Sequence, residues 1–161
     1  MIRRATSEDA TWIRDVSGEV YAEFGDYSRI IPSWLAHPGV LTFVEEGEAG
    51  QRRGFILIGF YEPPDMPQAG YVADLLAIAV APPFQRQGIG KNLLEYAIDL
   101  AVLAGQKVAV SEIHLTVAET NHVARRLFTR MGFVVLDEHH GAYDGGQRAI
   151  RMRRVLASSS S

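Results

Sequence analysis

Two closely spaced glycines, Gly88 and Gly90, stand between an apolar run ending at Val80 and a helical pattern that begins near Lys91. A strand, a glycine-containing turn and a helix start together make an anion site. The first helical N–H groups have no intrahelical acceptor, and the helix dipole adds partial positive charge. Neither glycine carries a Cβ, so a ligand can come close to the backbone, and Arg86 and Lys91 supply charge. The chemistry that fits is recognition of a phosphate or pyrophosphate. A second candidate is Asp74, alone among acidic residues inside the apolar run Tyr71 to Val80. A carboxylate so placed is suited to general-base work, and strand periodicity puts it on one face with Ile78 and Val80. Asn121 stands just before a further helical pattern. The pair His139-His140 lacks a second cluster of ligands, and the chain has no cysteine, so no metal is expected.

These residues need elements to position them. A short strand over 2–5 is followed by Thr6 or Ser7 as a helix cap, and Ala10, Ile13, Val16, Val20 and Phe24 recur at helical spacing, which predicts a helix over 7–24. A second short helix fits 29–36. Val40 to Val44 and Gly54 to Tyr61 read as an antiparallel hairpin, and Tyr71 to Val80 is too continuously apolar for a surface strand. Beyond the glycines, Leu93, Leu94, Ala97, Ile98 and Ala101 keep one helical face, with Gly105 as the stop. Glu112 to Val117 alternates as a strand. Asn121 or Thr120 caps a helix whose inner face is Val123, Ala124, Leu127, Phe128 and Met131, ending at Gly132. Strands over 133–136 and 149–153 follow, with 139–147 as a polar loop between them.

At 161 residues, with 47% apolar and 22% charged residues, the chain suits one domain over 1–156 and a disordered serine-rich tail over 157–161. The formal charge of -3 gives no global attraction to nucleic acid or to an anionic membrane. Arg125-Arg126 and the Arg151, Arg153, Arg154 cluster lack an aromatic stacking motif, so a nucleic-acid partner is not expected. The first residues lack the apolar core of a signal peptide, and no run is long enough to span a membrane; a cytoplasmic protein is expected.

Spacing separates the nucleotide-binding motifs. A P-loop would need glycine at 85 and Ser or Thr at 92, where Gln85 and Asn92 stand, and a dinucleotide fingerprint would need glycine in place of Leu93. What remains is Gln85-x-x-Gly88-x-Gly90 directly after a strand. With Leu115 to Asn121, the following helix and the terminal Gly132-Phe133, it resembles the GCN5-related N-acetyltransferase (GNAT) superfamily over nearly the whole chain. The resemblance implies an α/β (α+β) fold. A mixed central sheet of about six or seven strands would be flanked by helices, with the fourth and fifth strands, neighbours and parallel, splayed into a V.

In that family acetyl-CoA lies in the V. The resemblance implies that the backbone of Ile78, Ala79 and Val80 pairs with the pantetheine arm and that Arg86, Gln87, Gly88, Ile89, Gly90 and Lys91 hold the pyrophosphate. Asn121 would touch the arm from the other side, and Ala124 and Phe128 would wall the thioester end. An acidic base stands at the position of Asp74 in the histone-acetylating branch. The family's usual acid, a tyrosine on the helix after the Asn, matches Phe128, which has no proton to give. Tyr143 is an alternative acid or a pocket wall, and Phe24, Tyr27 and Trp34 lie where the family shapes its acceptor pocket or its core. The chain also resembles the ribosomal-protein N-terminal acetyltransferase branch around Ile78 to Gly90 and Gly141 to Gly146. That branch has a Glu where Thr116 stands, and both of its catalytic identifiers are missing, so its substrate is not assigned.

The expectation is an acetyl-CoA-dependent N-acetyltransferase acting by direct attack of a primary amine, on a small molecule, peptide or protein. A homodimer is compatible with the resemblance. The alternative is a CoA-binding sensor or interaction module that has lost turnover, which Phe128 motivates. The Glu112, His114, Thr116 side of its strand is left open between an exposed sheet face and a subunit contact.

Overall fold

Phe55, Ile56, Leu57 and Ile58 are all fully buried, although successive residues of a strand point to opposite faces. Both faces of this strand are therefore covered, which explains the unbroken apolar run. The computed structural model describes residues 1–62, 64 and 70–156; the serine-rich tail lies outside the described residues. Its seven strands are β1 (Ile2–Arg4), β2 (Val40–Glu46), β3 (Arg52–Tyr61), β4 (Tyr71–Val80), β5 (Val110–Ala118), β6 (Val134–Ala142) and β7 (Arg148–Val155). They form one sheet in the order β1-β2-β3-β4-β5-β7-β6. Among the described residues only the β4–β5 pair is parallel.

A parallel pair needs a crossover, supplied by α3 (Ile89–Ala104), whose Leu93, Leu94, Ala97, Ile98 and Ala101 bury against one sheet face. Phe128 of α4 (His122–Arg130) joins that core. The other face of β2, β3 and the far end of β4 is covered by α1 (Ala10–Val20) and α2 (Tyr27–Ala36), through Ile13, Val16 and Ile31.

The helix expected over 7–24 is shorter. Residues 7–9 form a 3-10 turn before α1, where the buried Asp9 accepts from the Thr6 N–H at 2.7 Å. Residues 21–24 are a turn that directs the chain into α2. The strand expected over 133–136 runs on to Ala142, so His139, His140 and Gly141 belong to β6 and the connecting loop is only 143–147. β6 is an exposed edge strand, so its polar side chains carry no inside-outside pattern from which a strand could be read. Val123, expected on the inner face of α4, is 72% exposed, and the buried residue of that helix is Phe128.

Candidate active site

The parallel pairing of β4 with β5 ends at Leu75 and Leu115. Beyond this point the strands diverge, and the cause lies on the other edge of β4. Leu57 pairs with Ala77 and Ile58 with Leu75, so Leu76 is an extra residue, a bulge that bends β4 away from β5. The bulge also reverses the side-chain parity. Ala73 and Leu75 share the α3-side core with Ile78 and Val80, while Ala77 and Ala79 pack on the α1 side. Asp74, which alternates with Ala73 and Leu75, is thus on the face opposite Ile78 and Val80, contrary to the unbroken alternation expected from sequence.

Main-chain groups alternate sides along a strand as well. Ile78 directs its N–H and C=O into the splay, where the Tyr21 hydroxyl meets both: it donates to the Ile78 carbonyl and accepts from the Ile78 N–H at 3.0 Å. Val80 points the same way, whereas Ala79 turns its main-chain groups towards Phe55 of β3. The expectation that three consecutive residues would present their backbone to the splay thus reduces to Ile78 and Val80.

The splay leads directly into the glycine turn. Among the described residues no acceptor meets the amide N–H groups of Arg86, Gln87, Gly88, Ile89, Gly90 or Lys91. The Gln85 side chain folds back to donate to the Val80 carbonyl at 3.0 Å, which ties the turn to the end of β4. Arg86 and Gly88 both have positive φ, 66° and 82°. Nothing lies within 4 Å of where a Gly88 Cβ would be, so the space above the turn is open. Lys91 makes only a loose exposed pair with Glu95 at 3.8 Å, of small energetic consequence. Open space, free amide donors and the Arg86 and Lys91 side chains fit a phosphate-bearing ligand.

A cavity of about 70 Å³ lies in the splay, lined by Tyr21, Phe24, Tyr27, Ile78, Thr116, Asn121, Ala124, Phe128 and Tyr143 among others. Asn121 accepts from the Ala124 N–H at 3.3 Å and so caps α4 while its side chain lines the cavity. Phe128 is buried, packed against Phe133. Tyr21 and Tyr27 lie with ring centroids 4.6 Å apart, and Phe24 and Tyr143 with theirs 5.5 Å apart. Trp34 lies behind, edge-on to Tyr27. Gly145 N–H donates to the Phe24 carbonyl and Gln147 to the Glu23 carbonyl, pinning the 143–147 loop to the turn after α1. Burial pushes the phenols of Tyr21, Tyr27 and Tyr143 above their ordinary value, which keeps them protonated donors. A roomier cavity of about 470 Å³, walled by Arg4, Thr6, Arg14, Leu35 and Thr42, shares no lining residue with the splay.

The alternating polar side chains of β5 form part of a charged network. Arg151 of β7 donates to both oxygens of Asp74 at 3.3 Å, to Thr116 at 3.0 Å and to Tyr61 at 3.2 Å, and its other neighbour is His114 Nδ1 at 3.4 Å. With Nδ1 facing a guanidinium, the His114 proton belongs on Nε2, which meets Glu112 at 2.6 Å. Arg153 donates to Glu112 at 3.0 Å, and Arg154 to the Met131 carbonyl at 2.7 Å. The basic cluster of the last strand is thus engaged within the protein. His140 pairs loosely with Asp137 on the edge strand, away from the splay.

The splayed parallel pair thus leads into an amide-lined turn before a crossover helix. The family model of the Acetyltransferase (GNAT) family matches residues 7–133, and the chain belongs to that family. It is 36% identical over 83 residues to the ribosomal protein bS18-alanine N-acetyltransferase of Escherichia coli K12, covering 50% of this chain and 53% of the relative. A chloroplastic GCN5-related N-acetyltransferase of Arabidopsis thaliana is 35% identical over 68 residues, 42% of this chain and 21% of the relative. The chain thus spans about half the length of the first of these relatives and a fifth of the second. Among solved structures, Arabidopsis thaliana NAA60 in complex with a bisubstrate analogue has a TM-score of 0.79 at 14% identity, over 98% of this chain and 99% of that one. Salmonella typhimurium yncA, solved with its cofactor acetyl-CoA, has a TM-score of 0.76 at 21% identity, over 100% of this chain and 96% of that one. These likenesses establish the fold. No helix among the described residues is long and apolar enough to cross a membrane.

Proposed function

We propose that the protein transfers the acetyl group of acetyl-CoA to a primary amine by direct attack. The observation that carries this reading is continuity: the main-chain groups of Ile78 and Val80 face the splay, and the chain passes from them into the unpaired amides of Arg86 to Lys91. An extended arm with a pyrophosphate at one end fits such a track, as an added strand fits an open sheet edge. The cofactor supplies an activated thioester. The protein positions it: Arg86 to Lys91 hold the diphosphate, Ile78 and Val80 align the arm, and Asn121, Ala124 and Phe128 close the other side. The Ile78 N–H, which is directed into the splay, would be the main-chain donor for a carbonyl oxygen that gains charge there during transfer.

Asp74, directly or through water, accepts the amine's proton, while Arg151 fixes the orientation of its carboxylate. The acceptor approaches over the polar strip of Tyr61, Asp74, His114 and Thr116. Tyr143 lines the splay and is a candidate acid for the leaving thiolate, since Phe128 carries no hydroxyl. The bS18 enzyme acts on a protein's alanine amine, and peptide or protein amines belong to the proposed acceptor class beside small molecules.

Thiol release from acetyl-CoA across a panel of small amines and peptides tests the reading. Wild type should release thiol with one acceptor class, and Asp74→Asn should lower kcat by about 10²–10⁴-fold. Tight cofactor binding without release for any amine would instead identify a sensor.

A further inference from the structure

The hydroxyl of Tyr21 reaches from the end of α1 across the splay to a main-chain site on a strand 57 residues away, and satisfies both polar groups of Ile78. Ordinary aromatic packing does not require this. The Tyr21 ring is already held by Tyr27, and a phenylalanine would pack as well. The oxygen occupies a ligand-like position, accepting from the one N–H that the transferase reading assigns to the acetyl carbonyl. Tyr21 and Phe128 line the same small cavity, so a hydroxyl stands at the thioester end although the helix position that usually supplies one does not.

We propose that Tyr21 is a catalytic hydrogen-bond donor of the transfer, resting on the transferase reading above. In the free protein its hydroxyl holds the place of the substrate oxygen at Ile78. When the acetyl carbonyl takes the Ile78 N–H, the hydroxyl is displaced by about one hydrogen-bond length. It releases the Ile78 carbonyl and donates to the same substrate oxygen, so that Tyr21 O–H and Ile78 N–H form a two-donor oxyanion site. No proton changes owner in this step. The phenol stays neutral, consistent with its enclosure, and the carbonyl electrons that move onto oxygen as the N–C bond forms return as the C–S bond breaks.

Tyr21→Phe keeps the ring and removes the donor. The carbonyl band of bound acetyl-CoA, read by isotope-edited infrared spectroscopy without acceptor, should lie lower in wild type than in Tyr21→Phe, because a second donor weakens the C=O bond. In turnover, kcat should fall by about 10²-fold while acetyl-CoA affinity is unchanged or tighter, since the variant has no hydroxyl competing for Ile78. A second measurement needs no variant. In wild type with tyrosine labelled at the phenol carbon, acetyl-CoA should shift the Tyr21 resonance further than CoA, which lacks the carbonyl. Equal carbonyl bands with equal shifts for the two ligands, or tighter binding at unchanged kcat, would overturn the role of Tyr21 and leave the transferase reading intact. Absence of acetyl-CoA binding to wild type would overturn both.

Discussion

Replacing Arg151 with methionine removes the donor that engages both oxygens of Asp74 at 3.3 Å, together with the bonds to Thr116 and Tyr61. The Arg151 and Asp74 side chains are 11% and 20% exposed, so the carboxylate left behind is neither fully solvated nor fully sealed. Breaking a buried pair costs about 3–5 kcal/mol, and partial solvent access places this one near 2–3 kcal/mol. For a chain of this size each kcal/mol moves Tm by about 2–4 °C, so Arg151→Met should melt about 5–10 °C below wild type. Pairing it with Asp74→Leu removes the stranded charge, and the double variant should return to within about 1 kcal/mol of wild type. Denaturant unfolding of the four proteins gives the coupling directly, with about 1.5 kcal/mol or more expected. Additive losses, or a loss below about 0.5 kcal/mol for Arg151→Met, would refute the network as a unit.

Three further outcomes follow from the same structure. The Arg3 guanidinium, aided by the Thr6 N–H and Arg52, holds the buried Asp9 carboxyl far below the usual carboxylate range. Its stabilisation is complete above the unfolded value near pH ~4 and is lost as pH falls towards the native value, so the Tm deficit of Asp9→Asn should be full at neutral pH and shrink steadily below pH ~4. A Cβ at Gly54 would lie 3.0 Å from both the Ala79 carbonyl and a Leu93 methyl, where β3, β4 and α3 meet, so Gly54→Ala should cost about 1–3 kcal/mol in chemical denaturation. Phe128→Tyr sets a hydroxyl beside the splay cavity; stopped-flow thiol release should show a higher kcat than wild type if protonation of the leaving group limits the reaction.

Periodicity sufficed for the layers of this fold. The face of α3, that of α4 apart from Val123, and the central place of β4 follow from residue spacing, and the glycine turn was legible because its motif is local. What escaped were relations between distant segments. The apolar run Leu75 to Val80 looks the same with or without a bulge, so nothing in it marked Leu76 as the extra residue or placed Asp74 on the opposite face. The Arg151 partner of Asp74 lies 77 residues away, yet a signal for it existed. Arg151 and Arg153 alternate along one strand as Glu112, His114 and Thr116 do along another, and matched alternating charge is what adjacent strands present to each other. The contact of Tyr21 with Ile78 had no such signal, because it crosses from a helix end to a main-chain group and leaves no complementary side chain to notice.

The central claim is that the turn from Arg86 to Lys91 holds the cofactor's diphosphate. Calorimetric titration of acetyl-CoA into wild type and Gly88→Trp tests it most directly, since nothing lies within 4 Å of where a Gly88 Cβ would be, although the positive φ adds backbone strain of about 1 kcal/mol. The account predicts tight binding to wild type and its loss in a variant that still melts cooperatively. Equal binding to both proteins would contradict it.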